Sequence, residues 1–323
     1  MMSNKQQLPL FSDLPPQSAS DIHKKTPLKL TYPFFMQFLR ESGKSDYTLK
    51  AFDSDLRLAG GYLDDNRPIG EFTTTDLNDF LHWLEVGRGV PCSRKSYARR
   101  VTTLKVYFRW LKGIGAISQD PAKAILQRSG PAPLSDVLSL AQIRDCIEAS
   151  RGFRKGDSQD YRPEMLFRLC ADTGIKKGEV MALKPEHIDR NNPHNPILTI
   201  RHKSRNVYKE RRIPLDPDWV TLLDLYLDQY PQKPNKEGIR KPEIITCTAR
   251  NLEYILTDVG EAAKLPFNLT FEVLRWTCAV RDHRLGMEDD LLRDKLGLSD
   301  ISWYETGQKI RKLAEILNQQ KEA

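Results

Sequence analysis

The sequence predicts a mostly α protein of two domains: an all-α first domain, then a helical second domain (α+β) carrying one small antiparallel sheet. Three observations lead there. Four segments between residues 32 and 112 carry apolar residues at helical spacing, with short connections. Residues 128–135, with two prolines, a glycine and two serines, separate them from the rest of the chain. Beyond that stretch, one pair of strand-like runs, 196–201 and 210–215, stands among helical periods.

The chain has 323 residues, 39% hydrophobic and 29% charged, which suits two globular domains with real cores. No apolar run approaches the length of a membrane-spanning helix, so no membrane partner is expected. The start, MMSNKQQLPLFSDLPP, lacks a basic stretch ahead of an apolar one, so no signal peptide is expected. Five cysteines (Cys92, Cys146, Cys170, Cys247, Cys278) lie far apart with no C-x-x-C pair, and the six histidines do not cluster with them. Neither a disulfide framework nor a metal site is expected, and the thiols read as reduced.

Residues 1–27 are polar and carry four prolines, so they read as a flexible tail. A helical period begins at Tyr32, with Phe35, Phe38 and Leu39 inward. Ser45 is placed to cap a second helix with Phe52, Leu56 and Tyr62 inward. Thr74 or Thr75 begins a third, with Leu77, Phe80, Leu81 and Leu84. Ser93 begins a fourth, which Gly113 and Gly115 stop. The resulting limits are a tail at 1–27, a first domain at 28–128, a linker at 129–136 and a second domain at 137–323. Helices are predicted from about Leu140 to Ala149 and Pro163 to Thr173, then at Asp218–Gln229, at Ala249–Ala263 and from Phe271 onward. The runs Pro196–Arg201 and Glu210–Leu215 read as a hairpin.

Lys plus Arg is 50 against 43 Asp plus Glu, a net charge of +7. Its distribution says more than its sum. Residues 93–112, SRKSYARRVTTLKVYFRWLK, hold seven basic residues and no acidic one. Tyr97, Val101, Leu104, Phe108 and Leu111 share one face of this helix. Lys95, Arg99, Lys105 and Arg109 fall on its flank and far side. An unbalanced cationic face is what phosphate contacts require, whereas a solvated face usually mixes both signs.

These residues resemble a known family. Phe38-Leu39, Gly43-Lys44-Ser45, Tyr47-Thr48-Leu49, Asp55-Leu56, Asp76-Leu77, Phe80-Leu81, Leu104 to Trp110 and Asp120-Pro121-Ala122 resemble, in order and spacing, the core-binding (SAM-like) domain of tyrosine recombinases, the phage integrases. Thr173 to Leu183 is similar to the family's T-G-x-R-x-x-E-x-x-x-L, and Lys209 to Leu215 to its K-x-R-x-x-P-L. Thr270 to Thr277 stands where T-x-H-x-L-R-x-T is expected, and Leu296-Gly297-Leu298 where L-G-H is expected. The resemblance spans about residues 30–312. It implies a recombinase catalytic-type second domain, duplex DNA as partner, and strand exchange through a covalent 3′-phosphotyrosyl intermediate. Two arginines clamp the phosphate as it gains charge. A hairpin lysine protonates the leaving oxygen, histidines assist, and a tyrosine attacks. Neither metal nor cofactor is implied.

The chain departs from that set. Lys176 replaces the first arginine and loses the planar fork. The hairpin lysine is Lys203. Glu272 replaces a histidine, Arg275 keeps the second arginine, Leu298 replaces the L-G-H histidine, and Gly307 stands at the tyrosine position. Tyr304 lies three residues early, about 4.5 Å of rise and roughly −60° of rotation on a helix. Losing one preorganised donor costs roughly 10²–10³ in rate, and losing the nucleophile removes the mechanism.

The expectation is a DNA-binding protein of recombinase fold, serving recombination or integration of a mobile element in the bacterial cytoplasm, bound to the nucleoid, with decayed strand cleavage. Its DNA contacts are expected at Arg94, Lys95, Arg99, Arg100, Lys105, Arg109, Lys203, Arg205 and Arg275. Two alternatives stay open: an active recombinase using Tyr304 as a displaced nucleophile, and a DNA-binding regulator reusing the fold. Plainer readings stand beside these. Lys176 is also a helix-start cation beside Glu179. Glu272 and Arg275 are spaced for an ion pair, or Glu272 neutralises Lys176 and Arg275. Tyr304 beside Trp303 reads as packing. The stripe Ile310, Leu313, Ile316 and Leu317 packs on its own domain or docks on a partner, an active recombinase or a second copy.

Overall fold

The computed structural model describes residues 15–125, 134–204, 207–231 and 242–322, without the side chains of 202–209 and 320–322. The chain divides into two compact units, residues 1–131 and 132–323. Both are mostly helical, as the periodicity predicts.

Unit 1 is built from α1 (Leu28–Glu41), α2 (Asp46–Leu63), α3 (Thr74–His82, continued by a π turn over Trp83–Gly87) and α4 (Arg94–Gly113). Each boundary has a local cause. Ser45 Oγ accepts from Thr48 N and Ser93 Oγ from Ser96 N, satisfying orphan donors of the first turn. The cap of α3 is Thr73, one residue before the expected start, and Asp76 returns a bond to its backbone N–H. Arg67, then Thr73, holds the Asp76 carboxyl down to about 2. That stabilisation is complete above the ordinary carboxylate value and is lost as pH falls towards 2.

The core of unit 1 holds the rings of Phe35, Phe80, Tyr107 and Phe108, all fully buried, with Tyr107 edge-to-face against Phe35 and Phe108. Two residues expected inward lie at its edge. Phe38 stays partly exposed over Trp110, and Tyr62 lies beside Trp83. Residues 15–27, expected within a flexible tail, are described as part of unit 1. A 3₁₀ turn spans Ala19–Asp21, Ile22 and Thr26 are buried, and the backbone of Lys24 and Thr26 bonds to Gly70 and Ile69. Residues 1–14 and 129–133, which carry the rest of the tail and most of the expected linker, lie outside the described residues.

One buried carboxylate ties α2 to α4. Asp55 is 3% exposed and accepts from Arg99 Nε (2.9 Å), Arg99 Nη2 (2.7 Å) and Thr103 Oγ1 (3.0 Å), with Arg100 Nε at 3.6 Å. Arg100 also donates to Cys92 Sγ. Asp55→Ala is therefore expected to destabilise unit 1 by about 2–3 kcal/mol, at or below the lower limit of the ~3–5 kcal/mol for a broken buried pair because Arg99 reaches water. Urea unfolding measures it. A loss under about 0.5 kcal/mol would mean the pair is an ordinary surface contact.

Unit 2 is built around α6 (Tyr161–Thr173), packed by α5 (Leu140–Arg151), α8 (Pro217–Gln229), α9 (Ala249–Ala262) and α10 (Phe271–Arg284). Trp219 on α8 is buried and donates from Nε1 to the Met165 carbonyl of α6. Two short hairpin strands, β1 (Arg154–Lys155) and β2 (Ser158–Gln159), precede α6. The main sheet is antiparallel, in the order β3 (Ile188–Asp189), β4 (Ile197–Ser204), β5 (Val207–Pro214). Its register pairs Leu198 with Ile213 and Ile200 with Arg211. Alternate residues Leu198, Ile200 and Ile213 therefore face the core.

The chain after α10 forms two helices, α11 (Asp289–Leu296) and α12 (Asp300–Glu322). Lys295 on α11 donates to Asp282 Oδ2 of α10 (2.5 Å) and to the Asp172 carbonyl of α6 (2.8 Å). α12 packs on α10, burying Ile310, Leu313 and Ala314. The C-terminal stripe is thus covered by its own unit, and of its residues Ile316 stays the most exposed. No helix among the described residues is long and apolar enough to cross a membrane.

Candidate functional site

α4 carries the first candidate surface. Its buried arc holds Val101, Thr103, Leu104, Tyr107, Phe108, Trp110 and Leu111. Opposite them, Arg94, Lys105, Arg109 and Lys112 form a stripe about 60° wide and ~27 Å long. Arg94, Arg109 and Lys112 are exposed and Lys105 is half-buried. Lys95 is exposed beside the stripe. Arg99 and Arg100, expected among the DNA contacts, both approach Asp55, which offers one negative charge to the two cations; Arg99 also stays partly exposed. Lys112, absent from the expected contacts, shares the helical phase of Arg94 and extends the stripe to the end of the helix.

The second surface gathers the remaining expected positions. α6 ends at Gly174, whose φ of +61° is the left-handed cap that glycine adopts without strain. The chain then turns through Lys176 into a short helix, α7 (Lys177–Met181). Lys176, Glu272, Arg275 and Leu298 all line one cavity of ≈360 Å³, together with Phe271, Trp276, Leu296 and Thr306. Lys176 also faces a neighbouring cleft of ≈1040 Å³ shared with Glu179, Arg211 and Ser302.

Arg275 reaches across the site. Its Nη1 donates to the Gly174 carbonyl (2.5 Å) and its Nη2 to the Leu296 carbonyl (2.5 Å). It therefore joins the turn before Lys176 to the end of α11. Burial, then Arg275's positive charge, pushes the Lys176 ammonium below the ordinary lysine value. Burial and the Arg211 charge likewise push Arg275 down, against the pull of Glu179.

One pair here is not foreseen by the sequence. Glu179 does not serve Lys176 alone. Its carboxylate takes Arg211 Nη1 (2.9 Å) and Nη2 (2.7 Å) from β5, while accepting from the Lys176 backbone N–H (2.8 Å). Burial alone would raise the Glu179 carboxyl, yet Arg211 outweighs it and holds the group below the usual carboxylate value. Arg211→Ala leaves this carboxylate buried without its partner. The expected loss is about 2–4 kcal/mol of unit 2 stability at neutral pH. The loss shrinks in acid, because in the intact protein the pair's contribution fades as pH falls below the carboxylate value. A pH series of urea midpoints reads both, and a loss independent of pH would refute the charge account.

Gly307 holds the position where the resemblance expects the attacking tyrosine. Gly307 is buried on α12, and a Cβ there would stand 3.2 Å from Trp303 Cε2. Tyr304 is 74% exposed and does not line the cavity. The Lys203 side chain and Arg205 lie outside the described residues. Among the described residues there is no group of metal-ligating side chains.

Residues 34–114 match the family described as phage integrase, N-terminal SAM-like domain. The chain is 27% identical over 175 residues to the tyrosine recombinase XerC of Mycobacterium sp. (strain JLS), covering 54% of this chain and 58% of that protein. It is 25% identical over 286 residues to the tyrosine recombinase XerD of Listeria innocua serovar 6a, covering 86% of this chain and 93% of that one. The chain is thus similar in sequence to tyrosine recombinases over most of its length. The fold agrees across both units. A lambda integrase dimer bound to a COC′ core site superposes with a TM-score of 0.66 at 17% identity, covering 87% of this chain and 77% of that one. XerH bound to its difH substrate before cleavage gives 0.63 at 16% identity, covering 90% and 83%. Within the tyrosine recombinase fold, α4 lies inside the matched SAM-like segment and the lined cavity lies in unit 2.

Proposed function

We propose that this protein binds duplex DNA in DNA recombination or in the integration of a mobile element, without cleaving a strand itself. The observation that carries the second half is Gly307. At the position where the family places its attacking tyrosine there is no nucleophile, and the Trp303 indole lies against the space a side chain would enter. Tyr304 turns outward into solvent. The surrounding substitutions point the same way. Lys176 offers a point charge where a bidentate fork is needed, Leu298 offers no proton, and Glu272 sets an anion where negative charge must build up.

DNA binding is supported by the cationic stripe of α4 and by the DNA-bound relatives of the same fold, lambda integrase and XerH. In this reading the protein is a pseudoenzyme of the bacterial nucleoid. Its partners are duplex DNA and an intact recombinase, which supplies the chemistry. The test is a search for an SDS-resistant protein–DNA complex on a nicked duplex carrying the binding site. None is expected. An adduct formed by the unmodified protein and lost in Tyr304→Phe would overturn the proposal and make Tyr304 the nucleophile.

A further inference from the structure

We infer that the cavity between the start of α7, the first turns of α10 and the junction of α11 with α12 is a binding site for a small apolar acid, an aryl carboxylate or sulfonate. This rests on the reading that no tyrosyl chemistry uses the cavity.

The walls set the ligand class. Phe271, Trp276 and Leu298 present apolar surface, which an aromatic body would cover. Leu298 adds to that surface where the family resemblance expects an imidazole. The volume, ≈360 Å³, is near the lower end of the ~300–1,000 Å³ of small-molecule sites, which suits one or two fused rings. The half-buried Trp276 and Phe271 offer ring faces and edges for an aromatic body.

The charges set the head group. Lys176 and Arg275 line the same cavity, and burial, then Arg275's charge, lowers the Lys176 pKa. Arg275 gives two of its five N–H groups to carbonyls, which leaves donors for a ligand oxygen. A bound anion relieves the mutual repulsion of the two cations and accepts charge-assisted hydrogen bonds from both. Lys177, also on the lining, is already paired with Glu253 and adds little. Among the described residues, Glu272 is the one carboxylate on the lining. It is exposed.

The test uses the full-length protein and two fluorescent probes of nearly equal size, anilinonaphthalene sulfonate and uncharged phenylnaphthylamine. Saturable one-site binding of the sulfonate is expected, with the uncharged probe at least ~tenfold weaker. Lys176→Gln and Leu298→Gln are each expected to weaken the sulfonate by about tenfold or more. Both positions reach solvent, so both variants should fold, which thermal melting checks. If Leu298→Gln fails to fold, Lys176→Gln and the uncharged probe decide. Leu140→Gln, in a separate groove of unit 2 lined by Leu138, Ile143 and Leu317, is expected to change nothing. Equal affinity for the two probes, unchanged binding in the folded cavity variants, or loss of binding in Leu140→Gln overturns the assignment. Failure of the non-cleaving reading would show separately, as a covalent adduct on nicked duplex.

Discussion

Replacing Arg94, Lys105 and Arg109 together with glutamate is expected to weaken duplex binding strongly while leaving unit 1 folded. The three lie on one stripe of α4, away from the buried arc, and among the described residues no ion pair ties them to the fold. Arg99 is kept, since reversing it would set two carboxylates together at buried Asp55 and confound binding with unfolding. Each phosphate neutralised releases condensed counterions. If six to ten phosphates are met, affinity should fall by about 10³–10⁵ between about 50 and 200 mM salt. The triple variant should flatten that slope by about three phosphates' worth as well as weaken binding. Electrophoretic or fluorescence titration at several salt concentrations measures both. Unchanged affinity in a variant with an unaltered melting curve would reduce the stripe to a solvated surface.

Restoring the family's polar groups alone should not restore cleavage. Lys176→Arg, Glu272→His and Leu298→His rebuild the fork and the proton carriers around the cavity, yet no group in register attacks. The effects of residues that act as a unit do not add, so three of four parts give no partial activity. Gly307→Tyr supplies the missing phenol, but the new Cβ meets Trp303 at 3.2 Å, tighter than ordinary van der Waals contact. The expected order is therefore no adduct from the triple variant, little from the quadruple variant, and most when Trp303→Ala is added to clear the space. Denaturing gels of a nicked, labelled duplex read the whole series. Adduct from the triple variant, abolished by Tyr304→Phe, would show that Tyr304 reaches the phosphate after all.

The features legible in the amino-acid order are local. The hydroxyl caps at Ser45 and Ser93, the apolar spacing of α1 to α4, and the strand runs of β4 and β5 are short-range patterns. Helix and strand periods place residues a few positions apart on one face, which is why such patterns can be read. Motif spacing does the same for the site: Glu272 and Arg275 are one helical turn apart on α10, so both reach the cavity that Lys176 lines. Which cations are available is settled by packing instead. Asp55 lies 44 residues from Arg99, and Glu179 lies 32 from Arg211. No local period reports such pairs, because they exist only once helices pack and strands take register. Burial then makes them compulsory, since a carboxylate removed from water must find a cation or a donor. Packing also decides which face of α12 is covered, so that Gly307 is buried while Tyr304, three residues earlier on the same helix, is exposed.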